Sequence, residues 1–224
     1  MCIRDSLEAA QIVYKAIHKF NLDELDYYLK CGEYFLKAER FDDAIQILEK
    51  GIKTFDDPDL WFFIGEAKRH KKDFRMSVVC YNNALTMCEF RDDIHNGLGI
   101  SQFYLANYFE AEENLEKAIE YAPFETSYRT TLASIQLNIN ELEKGEEILT
   151  LAVDEIPDVT LRYQLAAMLI LNNKRTQGLE ELSNALEADS NLVEEFFNFA
   201  PELDKKNTEI DHMIQYYCPN WSRT

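Results

Sequence analysis

DDIHNGLGISQFYLANYFEAEENLEKAIEYAPFE, residues 92–125, is the stretch whose reading decides the fold. It predicts two amphipathic helices joined by a tight turn. Leu98, Gly99 and Phe103 share one apolar face in the first helix. Ala111, Leu115, Ala118 and Ile119 do the same in the second at i, i+4, i+7, i+8 spacing. Pro123 ends the second helix, because it has no N–H to donate and disfavours helical backbone in the residue before it. One helical hairpin of this size cannot bury its own apolar faces, so the stretch predicts copies of itself on both sides.

Five copies stand in register, marked by three columns of small residues. In the first helices the column is Gly32, Gly65, Gly99, Ala133 and Ala166, with steps of 33, 34, 34 and 33. Early in the second helices it is Ala44, Ser77, Ala111, Gly145 and Gly178; two turns later it is Gly51, Ala84, Ala118, Ala152 and Ala185. Helices packed at about 8–10 Å leave no room for a large side chain where they cross, so small residues mark the crossings and large ones fill the flanks. Leu48, Tyr81, Leu115, Leu149 and Leu182 lie between the second and third columns as such fillers. Phe41, Phe74, Tyr108 and Leu142 cover the turn end, where the fifth copy has Arg175 instead.

This pattern resembles the tetratricopeptide repeat, a helix-turn-helix of about 34 residues with Trp-x-x-Leu-Gly-x-x-Tyr, then Ala, an aromatic, Ala and Pro. Trp61, Ile64 and Gly65 carry the opening of the motif, and Ala111, Leu115, Ala118 and Pro123 carry its ending. The resemblance implies an all-α, right-handed α-solenoid of about five and a half helix-turn-helix units plus C-terminal capping helices. The units run 25–57, 58–91, 92–125, 126–158 and 159–191. Residues 7–21 read as the second helix of a truncated unit, after a segment 1–6, MCIRDS, that reads as a non-native scar. Arg129 and Arg162 replace the aromatic of the motif, while Gly145 and Gly178 replace its alanine. A glycine inside a helix costs about 0.5–1 kcal/mol against alanine, so the fourth and fifth units are expected to be weakened. Residues 192–224 read as cap helices and tail: LVEEFFNFAPEL breaks at Pro201, and a last short helix begins near Asn207 or Thr208. Phe-rich endings with Pro-Glu-Leu are found in bacterial members, so the resemblance implies a bacterial origin.

Composition is that of an ordinary globular chain: 224 residues, 46% hydrophobic and 29% charged. The formal charge of −18 argues against nucleic acid or an anionic membrane as partner, since phosphate would be repelled over much of the surface. Five cysteines without a Cys-x-x-Cys pair read as reduced thiols of a cytoplasmic protein, with Cys31 and Cys80 at apolar helix positions. The longest wholly apolar run, residues 165–171, is far too short to span a bilayer.

No catalytic set emerges. His18, His70, His95 and His212 fall in different copies with no metal-ligand spacing, so no metal is expected, and His95 occupies the column of Tyr28 and Trp61, where packing explains it. Gly97-x-Gly99 lies inside a helix, not after a strand, and no P-loop is present, so no nucleotide or other cofactor is expected. The pairs Asp42–Asp43 and Asp92–Asp93 stand at helix starts, where carboxylates are expected to cap. The chain is therefore expected not to be an enzyme.

A binding surface remains. The resemblance implies a concave groove lined by first-helix residues that point away from the small column. Those positions hold Leu29 and Glu33, then Phe62, Glu66 and Arg69, then Asn96, Ile100, Phe103 and Tyr104, then Thr130 and Asn138, and finally Tyr163. Amides at Asn96 and Asn138 suit a peptide backbone, and Phe103, Tyr104 and Tyr163 offer apolar anchorage. Family members that clamp a terminal carboxylate use Lys, Asn and Arg at such places; Leu29, Glu33, Phe62 and Glu66 would repel one. The expected partner is a protein or peptide segment, neutral to basic and partly apolar, held by a non-catalytic scaffold. The alternative is a regulatory or docking arm of a larger enzyme or a secretion or assembly machine whose N-terminal part is missing.

Overall fold

The computed structural model describes residues 25–204, 208–219 and 221. The expected scar 1–6, the half unit 7–21 and Asn207 lie outside the described residues. Among the described residues the chain is all-α, with twelve helices and no strand. Five hairpins come first: α1 (Leu25–Lys37) with α2 (Phe41–Gly51), α3 (Pro58–His70) with α4 (Phe74–Met87), and α5 (Asp92–Tyr104) with α6 (Tyr108–Tyr121). They continue with α7 (Thr126–Asn138) and α8 (Leu142–Glu155), then α9 (Val159–Leu171) and α10 (Arg175–Asp189). The short α11 (Glu194–Phe199) and α12 (Thr208–Tyr217) follow.

The helices fall into two compact units, one ending at Ala122 and the other beginning at Pro123. In the first unit each of α1–α5 packs on its successor, and the first helices α1, α3 and α5 also touch in turn. In the second, α7–α10 pack likewise, α7 touches α9, and the cap adds α11 on α9 and α12 on α10. Hairpins stacked on hairpins are the construction of an α-solenoid.

Why the helices start where they do is local chemistry. Asp57 caps α3, accepting from the Asp59 N–H at 2.9 Å, with Pro58 as the first helical residue, and Asp158 caps α9 from the Thr160 N–H at 2.8 Å. Asp42–Asp43 and Asp92–Asp93 occupy first turns rather than the cap positions, which are held by Arg40 and Arg91. Arg91 ties Asp93 to Asp59 of the preceding hairpin, both at 2.7 Å.

The three small-residue columns are buried throughout. A methyl group on Gly99 would come within 2.8 Å of Leu115 Cγ and 3.0 Å of the Ala111 carbonyl oxygen. The same addition at Gly178 would meet Ile170 Cγ1 at 2.5 Å and the Ala166 carbonyl oxygen at 2.9 Å. Gly178 is therefore favoured by backbone approach: an alanine methyl there would force the helices apart. Leu48, Tyr81, Leu115, Leu149 and Leu182 are all completely buried, each leucine contributing about 1.5–3 kcal/mol through its removal from water.

Where the motif's aromatic is missing, ion pairs stand in. Arg129, 8% exposed, donates to the Pro123 carbonyl and to Glu155 Oε2. Arg162 donates to Glu181, and Arg175 reaches Glu209 of α12. At the end of the chain Phe196, Phe197 and Phe199 are buried together with Ile210 and Ile214, and Trp221 stacks on Phe197 at 5.7 Å.

Each hairpin turns through one residue in the left-handed region, and none of the five is glycine: Glu39, Lys72, Ala106, Asn140 and Asn173, with φ of 57–63°. In every turn that residue's N–H returns to the carbonyl three back, and the next N–H to the carbonyl five back, as Ala106 to Phe103 and Asn107 to Gln102. Two carbonyls at the end of each first helix are thereby satisfied.

Two substitutions test this account by urea denaturation. Ala118→Leu overpacks the α5–α6 crossing and lowers stability by about 1–3 kcal/mol; an unchanged midpoint would place Ala118 away from the crossing. Ala106→Gly relieves left-handed backbone strain of about 1–2 kcal/mol, offset in part by glycine's greater unfolded-state freedom, so stability rises by about 0.5–1 kcal/mol.

Candidate functional site

In the first unit α1 and α3 lie side by side and leave an open cleft of about 360 Å³ lined by Glu33, Leu36, Lys37, Phe62, Phe63, Glu66 and His70. Three of the residues expected to face a groove, Glu33, Phe62 and Glu66, meet there. Leu36, Phe62 and Phe63 form an apolar wall, and Phe62 is backed by the rings of Phe63 and Tyr81 at 5.3 and 6.3 Å. On the rim Glu33 is 47% exposed and pairs with Lys37, at 2.7 Å on the same helix. Leu29, one turn earlier, packs against the core of this unit instead.

Glu66 is committed internally. Tyr81, completely buried, donates its hydroxyl to Glu66 Oε1 at 2.5 Å, and Arg69 donates to both carboxylate oxygens at 3.2 and 2.6 Å. Burial, followed by the Glu66 charge, pushes the Tyr81 hydroxyl well above its ordinary range. Burial opposes the Arg69 charge, but the hydrogen bonds and charge of Glu66 outweigh it and hold the guanidinium protonated. Glu66 thus forms the floor of the cleft, held there by Tyr81 and Arg69.

The third hairpin places its expected residues in two settings. Asn96 Oδ1 is buried and has no hydrogen-bond partner, and Ile100 is half-buried beside it on α5. Phe103 and Tyr104 sit at the turn end. Tyr104, 60% exposed, stacks on Phe74 with centroids 4.4 Å apart and planes 8° from parallel, while Phe103 lies 5.9 Å from Tyr108. His70 stacks on Phe41 in the same way, at 5.2 Å and 4°. The end of a first helix meets the start of the preceding second helix through paired rings, a register that the spacing of aromatics in the sequence already contains.

In the second unit Thr130 donates to Gln164 at 2.9 Å, joining α7 to α9, and the exposed Asn138 donates to the Ser134 carbonyl. Tyr163 is a correction. Expected to offer anchorage to a ligand, it is completely buried and donates its hydroxyl to the Asp189 carbonyl at 2.9 Å. The reason is the cap: α9 is packed by α8, α10 and α11 and is buried from Tyr163 to Leu169. Residues of a first helix that lacks such a cover stay accessible; those of α9 become core.

Among the described residues no group of three or more His, Cys, Asp and Glu side chains could hold a metal ion. No helix of the described residues is long and apolar enough to cross a membrane. Burial pushes the Cys31 and Cys80 thiols up to about 11, which keeps them unreactive at neutral pH. Gly97 and Gly99 serve packing: a methyl on Gly97 would come within 2.6 Å of the Tyr81 ring.

The two carboxylates of the cleft separate by substitution. Glu66→Gln weakens a charge-assisted network and lowers stability by about 1–2 kcal/mol in chemical denaturation. Glu33→Gln, which loses only an exposed pair, changes it by less than about 0.5 kcal/mol; equal losses would contradict the assignment of Glu66 to the floor.

No protein-family model and no curated protein matches this sequence. Solved structures do. YrrB, described as a tetratricopeptide-repeat protein with an unusual peptide-binding site, superposes with a TM-score of 0.59 at 16% identity, over 95% of this chain and 100% of its own. MamA from Desulfovibrio magneticus gives 0.63 at 20% identity, over 74% of this chain and 94% of its own. Another MamA crystal structure gives 0.59 at 16%, over 67% and 88%. With these likenesses, the stacked hairpins and the buried small-residue columns, the chain has the fold of the tetratricopeptide-repeat proteins.

Proposed function

We propose that this chain is a non-catalytic protein–protein interaction scaffold, and that the cleft between α1 and α3 is where it holds a peptide or protein segment. The observation that carries this is the cleft itself. It joins an apolar wall of Leu36, Phe62 and Phe63 to the exposed Glu33–Lys37 pair and stays open over about 360 Å³. Such a lining suits an extended segment that presents an apolar side chain next to a neutral or basic one. The formal charge of −18 favours encounter with basic segments over acidic ones. The peptide-binding site named for YrrB, a protein of the same fold, supports the class of ligand.

Selection from a displayed random-peptide library, followed by titration of the enriched peptides by fluorescence anisotropy, tests the proposal. Enriched peptides are expected to carry an apolar residue beside Lys or Arg. Phe62→Ala, checked to melt cooperatively, weakens their binding about tenfold, the equivalent of about 1.4 kcal/mol. A library without enrichment, or affinities indifferent to Phe62→Ala, would overturn it.

A further inference from the structure

His95 belongs to no catalytic set, but its surroundings are unusual for a neutral ring. It lies in the first turns of α5 and is 6% exposed. Its Nδ1 is 2.9 Å from Asn114 Oδ1 on α6, and its Nε2 is 3.2 Å from the Glu89 carbonyl oxygen in the α4–α5 connection. The Asn114 amide cannot turn over, because its Nδ2 donates to the Glu110 carbonyl at 2.7 Å and a reversed amide would set oxygen against oxygen there. Both ring nitrogens therefore face oxygen atoms that only accept. A neutral imidazole has a single N–H and satisfies one of them, leaving a lone pair against the other; the imidazolium satisfies both.

We propose that His95 is a proton-operated latch: doubly protonated, it ties the α4–α5 connection at Glu89 to α6 at Asn114, and it loses one of the two ties when the ring gives up a proton. The charged groups around it are consistent with a cation in this place. Glu113 on α6 is held below the ordinary carboxylate range, first by Lys117 at 2.7 Å and, more weakly, by the His95 charge. Asp92 and Asp93 stand in the same first turn of α5, Asp93 bound by Arg91, and the Glu89 side chain is exposed on the connection. These carboxylates oppose the unfavourable N-terminal dipole of α5. The Tyr121 ring closes the remaining side, 5.6 Å from the imidazole, and carries Phe90 edge-on at 5.7 Å. Phe90 is 72% exposed, so the latch also sets how an aromatic side chain is presented to solvent.

The sign follows from the number of N–H groups. The tie needs the protonated ring, so its contribution is present at acid pH and is lost when the proton leaves as pH rises. The full chain and its His95→Gln variant are melted between about pH 5.5 and pH 8, either side of the usual histidine value of about 6.5. The difference in Tm between them is expected to fall by about 3 °C across that range. Nuclear magnetic resonance of the wild-type chain gives the second readout, independent of whether the variant folds. Two protected ring N–H protons, from Nδ1 and Nε2 of His95, are expected at acid pH, and one of them disappears as the pH rises. Parallel melting profiles, or a ring with a single protected N–H at acid pH, would overturn the latch.

Discussion

Close approach of helices at small residues is the constraint on which the rest of the structure depends. At Gly99 and Gly178 a single added methyl would meet a carbonyl oxygen of the partner helix within 3.0 Å. Because the backbones come this near, the large residues between the columns, from Leu48 to Leu182, lose all their exposure. A hairpin spaced further apart would leave those side chains half in water and forfeit much of the burial that holds it together.

That close packing also explains the polar chemistry. Tyr81 fills the space beside Gly65 and Gly97, and its hydroxyl is carried inward to a position where only Glu66 can receive it. Glu66 in turn fixes Arg69, so two residues with the appearance of ligand-binding charges become part of the support under Phe62. The same logic holds at Arg129, whose buried guanidinium is satisfied by a carbonyl and a carboxylate where the repeat motif would have placed a ring. The buried Arg129 charge is tolerated because it is paired with these acceptors.

Hairpin order and the crossing points were legible in the sequence, since a small residue every 33 or 34 positions has no simpler cause than a repeated contact. The turns were less legible. Glu39, Lys72 and Ala106 give no sign of left-handed backbone, which the two capping hydrogen bonds impose on them. Among the candidate site residues, Glu33 and Phe62 could be named from their positions opposite the small column. Tyr163 could not be excluded that way, because whether a first-helix face is open depends on what covers it.

The sequence by itself determined the all-α repeat, its register and the face each helix turns inward, because those follow from periodicity and side-chain size along one strand of chain. Only the tertiary structure decided which of the outward residues remain available. Glu66 and Arg69 are taken up by Tyr81, and Tyr163 is closed over by the cap, whereas Glu33 and Phe62 are left lining a cleft. Availability is a property of partners brought together from different helices, and no local pattern encodes it.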